Sequence, residues 1–163
     1  MTSEPFFRGS GLAEVAANGV VRLPSGFLAA LGARSDGGAI VLALHPRDAC
    51  VTGTDCGGAR RQAARIARLR RIEEEACLAT ERHHRRARRE YGLAEDSTID
   101  GEGRVLLPAL LRRRAGIGRF ALFVGTGDEF ELWDPERARL QGGALADIAG
   151  FRLAEAHTEG DGG

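Results

Sequence analysis

Asp100-Gly101-Glu102-Gly103-Arg104-Val105-Leu106-Leu107-Pro108 is the stretch from which the rest of the chain is read. Ser97-Thr98-Ile99 leads into it as a short strand. Gly101-Glu102-Gly103 reads as a three-residue hairpin-type loop, and Gly103 can take the positive φ that such loops need. Arg104 to Leu107 is a second short strand, and Pro108 opens a helix at its first position. Asp100 and Arg104 flank the loop on one face and can pair across it. That pair has two readings. It is either a surface salt bridge of little energetic weight, or a carboxylate that aims a guanidinium outward towards a phosphate or a base edge.

The same grammar occurs earlier in the chain. Leu12 to Ala17 can form a strand, and Asn18-Gly19 is a strong two-residue hairpin signal. Val20 to Leu23 is the return strand. Pro24 starts a helix with Phe27, Leu28 and Leu31 on one face and Gly32 as its stop. Gly19, Pro24 and Gly32 match Gly103, Pro108 and Gly116 at one constant offset, so the chain contains an internal repeat.

The second half of each copy repeats as well. Ala39 to Leu44 reads as a buried strand, with Phe120 to Val124 as its counterpart. A turn follows each, His45-Pro46-Arg47-Asp48 and Gly125-Thr126-Gly127-Asp128. Ala49 to Thr52 and Glu129 to Trp133 then read as edge strands, which would leave Trp133 at the rim. Asp134 caps a final helix and Pro135 fills its first position.

Between the copies lies a helical stretch, about Ala59 to Tyr91. Ala63, Ile66, Leu69, Ile72, Ala76 and Ala79 form one apolar stripe at helical spacing. Arg60, Arg61, Arg65, Arg68, Arg70 and Arg71 occupy its other faces. This predicts a packed helix pair with a solvated arginine face, or a surface that contacts phosphates or a partner. His83 and His84 point about 100° apart on a helix and cannot clasp one ion as residues at i and i+4 do. The segment from Gly142 to Gly163 is rich in glycine, alanine and acid, with one weak helix-like apolar patch at Leu145, Ile148 and Phe151, and is expected to be a flexible tail, frayed beyond about Ala154.

Composition narrows the function classes. The 163 residues allow one domain, or two small ones sharing a core. All 23 basic side chains are arginine, balanced by 23 acids, so the formal net charge is zero and bulk non-specific affinity for nucleic acid is not expected. The charge is uneven: residues 58–90 carry eleven arginines against five acids, whereas residues 91–163 carry eight against thirteen. Cys50, Cys56 and Cys77 are odd in number and lack metal-site spacing, so small buried or half-buried thiols are expected. No apolar run is long enough for a membrane span and no signal-peptide core opens the chain, which predicts a cytoplasmic protein. The nucleophile-elbow, phosphate-loop and zinc-hydrolase signatures are missing, so no catalytic residue, cofactor, metal or small-molecule substrate is expected.

Taken together, the two copies resemble the repeat signature of the MraZ family, bacterial transcriptional regulators related to AbrB-type DNA-binding proteins. The signature has an aspartate three residues before Gly-Arg and a proline four further on, and the likeness runs from about Phe6 to about Leu140. The segment His83 to Gly92, just ahead of the second signature, is similar to the same region of that family. The resemblance implies an α+β fold: two pseudo-symmetric AbrB/SpoVT-like βαβ repeats forming one small β-barrel with helices packed around it. Its parts would be a first repeat at 1–57, an arginine-rich helical connector at 58–92, a second repeat at 93–141 and the tail at 142–163. It further implies a nucleoid-associated homo-oligomer, ring-like, that binds short direct repeats in double-stranded DNA ahead of the division and cell-wall gene cluster and represses it. A two-stranded β element can enter the major groove and offer an arginine to guanine. The DNA-binding candidates are therefore Asp100, Gly103 and Arg104 of the intact copy, with Arg22, Arg8 and Asn18 of the first. The first copy departs from the pattern, with Ala16 and Val20 where the aspartate and arginine belong. That departure leaves a second reading open, an oligomeric interaction scaffold on the same fold that no longer binds DNA specifically.

Overall fold

The computed structural model describes residues 5–34 and 38–162. Residues 1–4 and 35–37 of the first repeat, and Gly163 of the tail, lie outside the described residues. In the first copy β1 (Ser10–Glu14), β2 (Val20–Arg22), α1 (Ser25–Arg34), β3 (Ala39–Leu44) and β4 (Val51–Thr54) follow one another, and α2 (Cys56–Glu75) and α3 (Glu81–Gly92) form the connector. The second copy repeats the order with β5 (Ala94–Thr98), β6 (Arg104–Leu106), α4 (Ala109–Ala115), β7 (Phe120–Gly125), β8 (Phe130–Trp133) and α5 (Pro135–Leu140), and α6 (Gly143–Gly160) closes the chain.

Among the described strands, only β3–β4 and β7–β8 pair within a copy; the other pairings join one copy to the other. Six of them form one antiparallel sheet in the order β1-β7-β8-β4-β3-β5, and β2 and β6 form a separate two-stranded ribbon. Reversing that order and exchanging the copies returns the same order, so a pseudo-twofold axis passes between β4 and β8. The hairpins expected around the two glycine loops are thus exchanged: β1 pairs with β7, β5 with β3, and β2 with β6. Nor is the sheet a closed barrel. It ends at β1 and β5, because each of these strands runs into a tight turn and delivers its successor to the ribbon instead of to the opposite edge.

The turns are built alike. Asp100 N–H donates to Arg104 O at 2.9 Å and Gly103 N–H to Asp100 O at 3.1 Å; Ala16 N–H donates to Val20 O at 2.9 Å and Gly19 N–H to Ala16 O at 2.8 Å. The first copy therefore has the same three-residue loop as the second, and not the two-residue turn that Asn18-Gly19 suggests. A type I′ turn needs two residues at positive φ, and here only Gly19, at +90°, has it. Each loop glycine also serves the other copy. Leu23 N–H donates to Gly103 O at 3.0 Å and Leu107 N–H to Gly19 O at 2.9 Å. A Cβ on Gly19 would stand 2.8 Å from Leu107 O, and one on Gly103 would stand 2.5 Å from Leu28 Cδ1.

The inner face of the sheet carries a core drawn from both copies. Phe27 of α1 packs on Phe130 and Phe123 with ring centroids 5.3 and 6.0 Å away, and Phe7 lies 5.1 Å from Phe130. Val21, Leu23, Ile40 and Leu42 meet Val105, Leu107, Leu111 and Leu132 in the same cluster. Pro24 and Pro108 stand one residue ahead of their helices, and their carbonyls accept the first helical bonds. Gly116 ends α4 in the left-handed region as expected, whereas α1 runs through Gly32 to Arg34.

Three further expectations are corrected. Trp133 is not at a rim: β8 lies inside the sheet between β7 and β4, and Trp133 is 2% exposed under α5 and α6. The segment expected as a flexible tail is the helix α6, whose Leu145, Ile148 and Ala149 pack on Leu12, Leu122, Val124 and Trp133. The cysteines differ from one another: Cys50 is buried, and burial pushes its thiol well up, but Cys56 and Cys77 are exposed.

The connector is a helix pair, turned at Cys77 with φ of +54° and tied by Arg86 to Glu73 and by Gln62 Nε2 to Glu90 Oε2 at 3.1 Å. Its apolar stripe packs only at the sheet end. Ile66 is buried, but Leu69 and Ile72 are 43% and 53% exposed. The pair outruns the sheet there, so the distal stripe has nothing to lie on.

A buried ionic knot joins the parts. The Arg34 side chain, 0% exposed, donates to both Asp55 oxygens at 3.2 and 3.3 Å and to Asp128 Oδ1 at 2.6 Å. Arg61 grips the same Asp128 at 2.9 and 2.7 Å, and Asp55 caps α2 by accepting from Gly58 N–H at 2.8 Å. The end of α1, the start of α2 and the β7–β8 turn are thereby held in one geometry.

Candidate nucleic-acid interface

The ribbon alternates strictly. Val21 and Val105, paired at its centre, point into the core. Val20, Arg22, Arg104 and Leu106 therefore share the outer face, with Arg22 directly opposite Arg104 and Val20 opposite Leu106. The exchange of strands brings Arg22 of the degenerate copy against Arg104 of the intact one. The spacing in sequence only places Arg22 on the same face as Val20.

Asp100 organises this end of the ribbon. Its Oδ1 accepts from the backbone N–H of both Glu102 and Arg104 at 2.9 Å, and its Oδ2 accepts from Arg104 Nε at 2.9 Å. The Arg104 amide, followed by the Glu102 amide and the guanidinium, holds the Asp100 carboxyl below its ordinary range. The hydrogen bond to Asp100 in turn raises the Arg104 guanidinium. One carboxylate thus fixes both the turn and the guanidinium plane, as a single aiming device would.

Glu102 is the residue that sequence reading passed over. From the loop its Oε2 stands 3.4 Å from Arg104 NH1 and 3.7 Å from Arg22 NH2. A carboxylate between two outward arginines competes with any phosphate or base that would take them. Its place in the three-residue loop was visible, but its nearness to Arg22 depends on the exchanged ribbon.

Asn18 lies in the first loop, where its Oδ1 accepts from Val20 N–H at 3.2 Å. It steadies the turn there as Asp100 does in the second, without a charge. Arg8 is not brought to this surface. It precedes β1 beside the β7–β8 turn, with its guanidinium 6.0 Å from the Phe6 ring. The whole of β1 separates it from the loop, about 20 Å at the usual rise per residue. The connector is also remote: α3 feeds β5 at Ala94, the end of that strand away from the Asp100 turn. Its His83 and His84 rings are tilted, with centroids 5.7 Å apart, and no group of three potential metal ligands is gathered among the described residues. No helix among them is long and apolar enough to cross a membrane.

Fold and surface together define a tandem-repeat α+β protein in which two copies exchange strands to build one sheet and one arginine-bearing ribbon. Residues 91–138 match the family model described as "MraZ protein, putative antitoxin-like". The protein called transcriptional regulator MraZ in Rickettsia bellii is 34% identical over 118 residues, 72% of this chain and 73% of that protein. Its namesake in Methylobacillus flagellatus is 32% identical over 137 residues, 83% and 86% of the two chains. In Nitrosococcus oceani the namesake is 45% identical over 67 residues, 39% of this chain and 45% of that protein. The chain belongs to the MraZ family.

Proposed function

We propose that this protein is a sequence-specific DNA-binding transcriptional regulator that reads the major groove with the outer face of the β2–β6 ribbon. The observation that carries the reading is the cross-strand pair Arg22–Arg104 on an exposed, rigid, two-stranded element. Arg104, aimed by Asp100, is the base-reading residue; Arg22 holds a phosphate and positions the ribbon. Gly103 and Asn18 shape the loops. One ribbon offers too few contacts for tight binding, so the active form is a homo-oligomer, ring-like, that engages short direct repeats with high effective concentration. The target proposed is the DNA ahead of the division and cell-wall gene cluster, where the bound oligomer represses transcription at the nucleoid. No catalysis, cofactor or metal enters this function.

Two features favour the second reading, an oligomeric scaffold without specific DNA binding. Val20 supplies no charge, and Glu102 occupies both remaining arginines. A fluorescence-anisotropy titration against the DNA upstream of the protein's own gene, with a scrambled duplex and a salt series, separates the two. The regulator prefers the upstream DNA, and its affinity falls steeply with salt. Equal, weak binding to both duplexes overturns the regulator and leaves the scaffold.

A further inference from the structure

The pseudo-twofold axis allows the two outer faces of the sheet to be compared position by position. In the second half Leu122 pairs with Trp133 and Val124 with Glu131. In the first half, the same register pairs Val41 with Thr54 and Ala43 with Thr52. Leu122, Val124 and Trp133 are sealed beneath α5 and α6. Their counterparts Val41, Ala43 and Thr54 instead floor a cavity of about 350 Å³ beneath α2 and α3. Replacing Trp by Thr and Val by Ala removes an indole's worth of side chain; α2 comes down only at Thr54, where Gly58 packs on the hydroxyl, and the space over Val41 and Ala43 stays open.

The helices stand off because their inner faces are polar. Gln62 Nε2 donates to Glu90 Oε2 at 3.1 Å, Arg65 NH2 donates to Gln62 Oε1 at 2.5 Å, and Arg65 lies 3.8 Å from Glu129 Oε1. The space is a cleft half open to solvent, with polar side chains above and a largely apolar floor below, the usual composition of a small-molecule site.

We propose that this cavity binds a small aromatic amine, its flat ring over Val41, Ala43 and Ala94 in the place that Trp133 fills in the other half, and its ammonium on Glu129. Glu129 is the polar group to which such a cation would go. Its approach to Arg65 is too long for a hydrogen bond, and burial pushes its carboxyl up, so an added cation relieves it. Glu90 at the opposite wall disfavours an anionic ligand. The inference stands apart from the DNA-binding reading, since α3 meets β5 at its far end from the ribbon.

Calorimetric titration of the full chain with tryptamine tests it, alongside indole-3-propionate, which has the same ring but a carboxylate. The expected result is saturable one-to-one binding of tryptamine, at least tenfold tighter than the acid. Ala43→Leu, which restores bulk to the floor, abolishes binding; Glu129→Gln removes the preference for the amine. Thr52→Leu, verified as folded by circular dichroism, replaces Ala43→Leu if that variant is unfolded. No saturable binding of tryptamine overturns the proposal. So does equal or tighter binding of the acid, and so does full affinity in a folded, floor-filled variant.

Discussion

Arg22 and Arg104 form one cross-strand pair of the β2–β6 ribbon and share one carboxylate, Glu102, at 3.7 and 3.4 Å. Only Arg104 has a second, closer anchor in Asp100 at 2.9 Å. Two arginines facing the same way are therefore held to different degrees. The expectation is a division of labour: a firmly aimed guanidinium specifies and a loosely held one positions.

Arg104→Ala is expected to weaken binding to the upstream DNA by roughly ten- to a hundredfold for each base that the guanidinium reads, and to erase the preference over scrambled DNA. Arg22→Ala is expected to weaken both duplexes alike and to flatten the salt dependence. Asp100→Ala should fall between wild type and Arg104→Ala, because it removes the aim and leaves the cation. Val20→Arg, on the same outer face, should tighten binding. Anisotropy titrations of these four folded variants are the measurement. Unchanged affinity and discrimination in Arg104→Ala would end the ribbon-readout idea and move suspicion to the arginines of the connector.

Glu102→Gln tests the same surface from the opposite side. It releases Arg22, leaves Arg104 on Asp100, and removes a negative charge from the loop beside them. Affinity should rise several-fold at low salt, and the gain should shrink as salt screens the repulsion. Weaker binding by this variant would mean that Glu102 itself contacts DNA.

The shared core predicts that the second copy cannot stand alone. A fragment of residues 92–163 lacks β1, β2, β3 and β4, which pair with its β7, β6, β5 and β8. It should be unfolded at low concentration, or fold only by pairing with another fragment. Sedimentation combined with circular dichroism decides this; a cooperatively folded monomer would contradict the exchange.

Removing Arg34 should cost stability in a pH-dependent way. Burial alone would raise the Asp55 carboxyl, but the Arg34 hydrogen bond and the Gly58 amide bring it below the ordinary aspartate value of 3.8. Asp128 is likewise lowered, first by Arg61 and then by Arg34. Lowered folded-state values mean that this contribution is complete above 3.8 and is lost as pH falls through them. Arg34→Met leaves Asp55 buried without its cation, which should cost about 3–5 kcal/mol at neutral pH. The deficit should shrink towards pH 4, where Asp55 can take a proton. Denaturant unfolding at pH 7 and pH 4 reads both parts, and an equal deficit at the two values would sink the assignment.

The local grammar of this fold is legible in the sequence, and its long-range pairing is not. Gly103, Pro108, Gly116 and the Asp100–Arg104 pair follow from turn and cap chemistry, which acts over a few residues. The partner of β2 cannot be read, because a tight loop at Gly19 looks the same whether its strands stay together or part. Trp133 reads as half-buried because Glu129-Phe130-Glu131-Leu132-Trp133 alternates. Its second cover comes from α6, whose apolar residues Leu145, Ile148 and Ala149 are diluted by glycine and acid. The Arg34–Asp55–Asp128 knot joins residues with no local signal of contact. Glu102 escapes notice as a competitor because its second arginine lies in the other copy.

The reciprocal bonds from Leu23 to Gly103 and from Leu107 to Gly19 separate two duties that a repeat ordinarily performs together. Each copy supplies the backbone rail on which the other copy's arginine is mounted, and that duty uses only peptide groups and a glycine. The first copy could thus lose Asp and Arg at 16 and 20 without loosening Arg104, since neither side chain belongs to the rail. Its residues at 16 and 20 are free to drift, while its glycine and its strand remain part of the rail that holds Arg104.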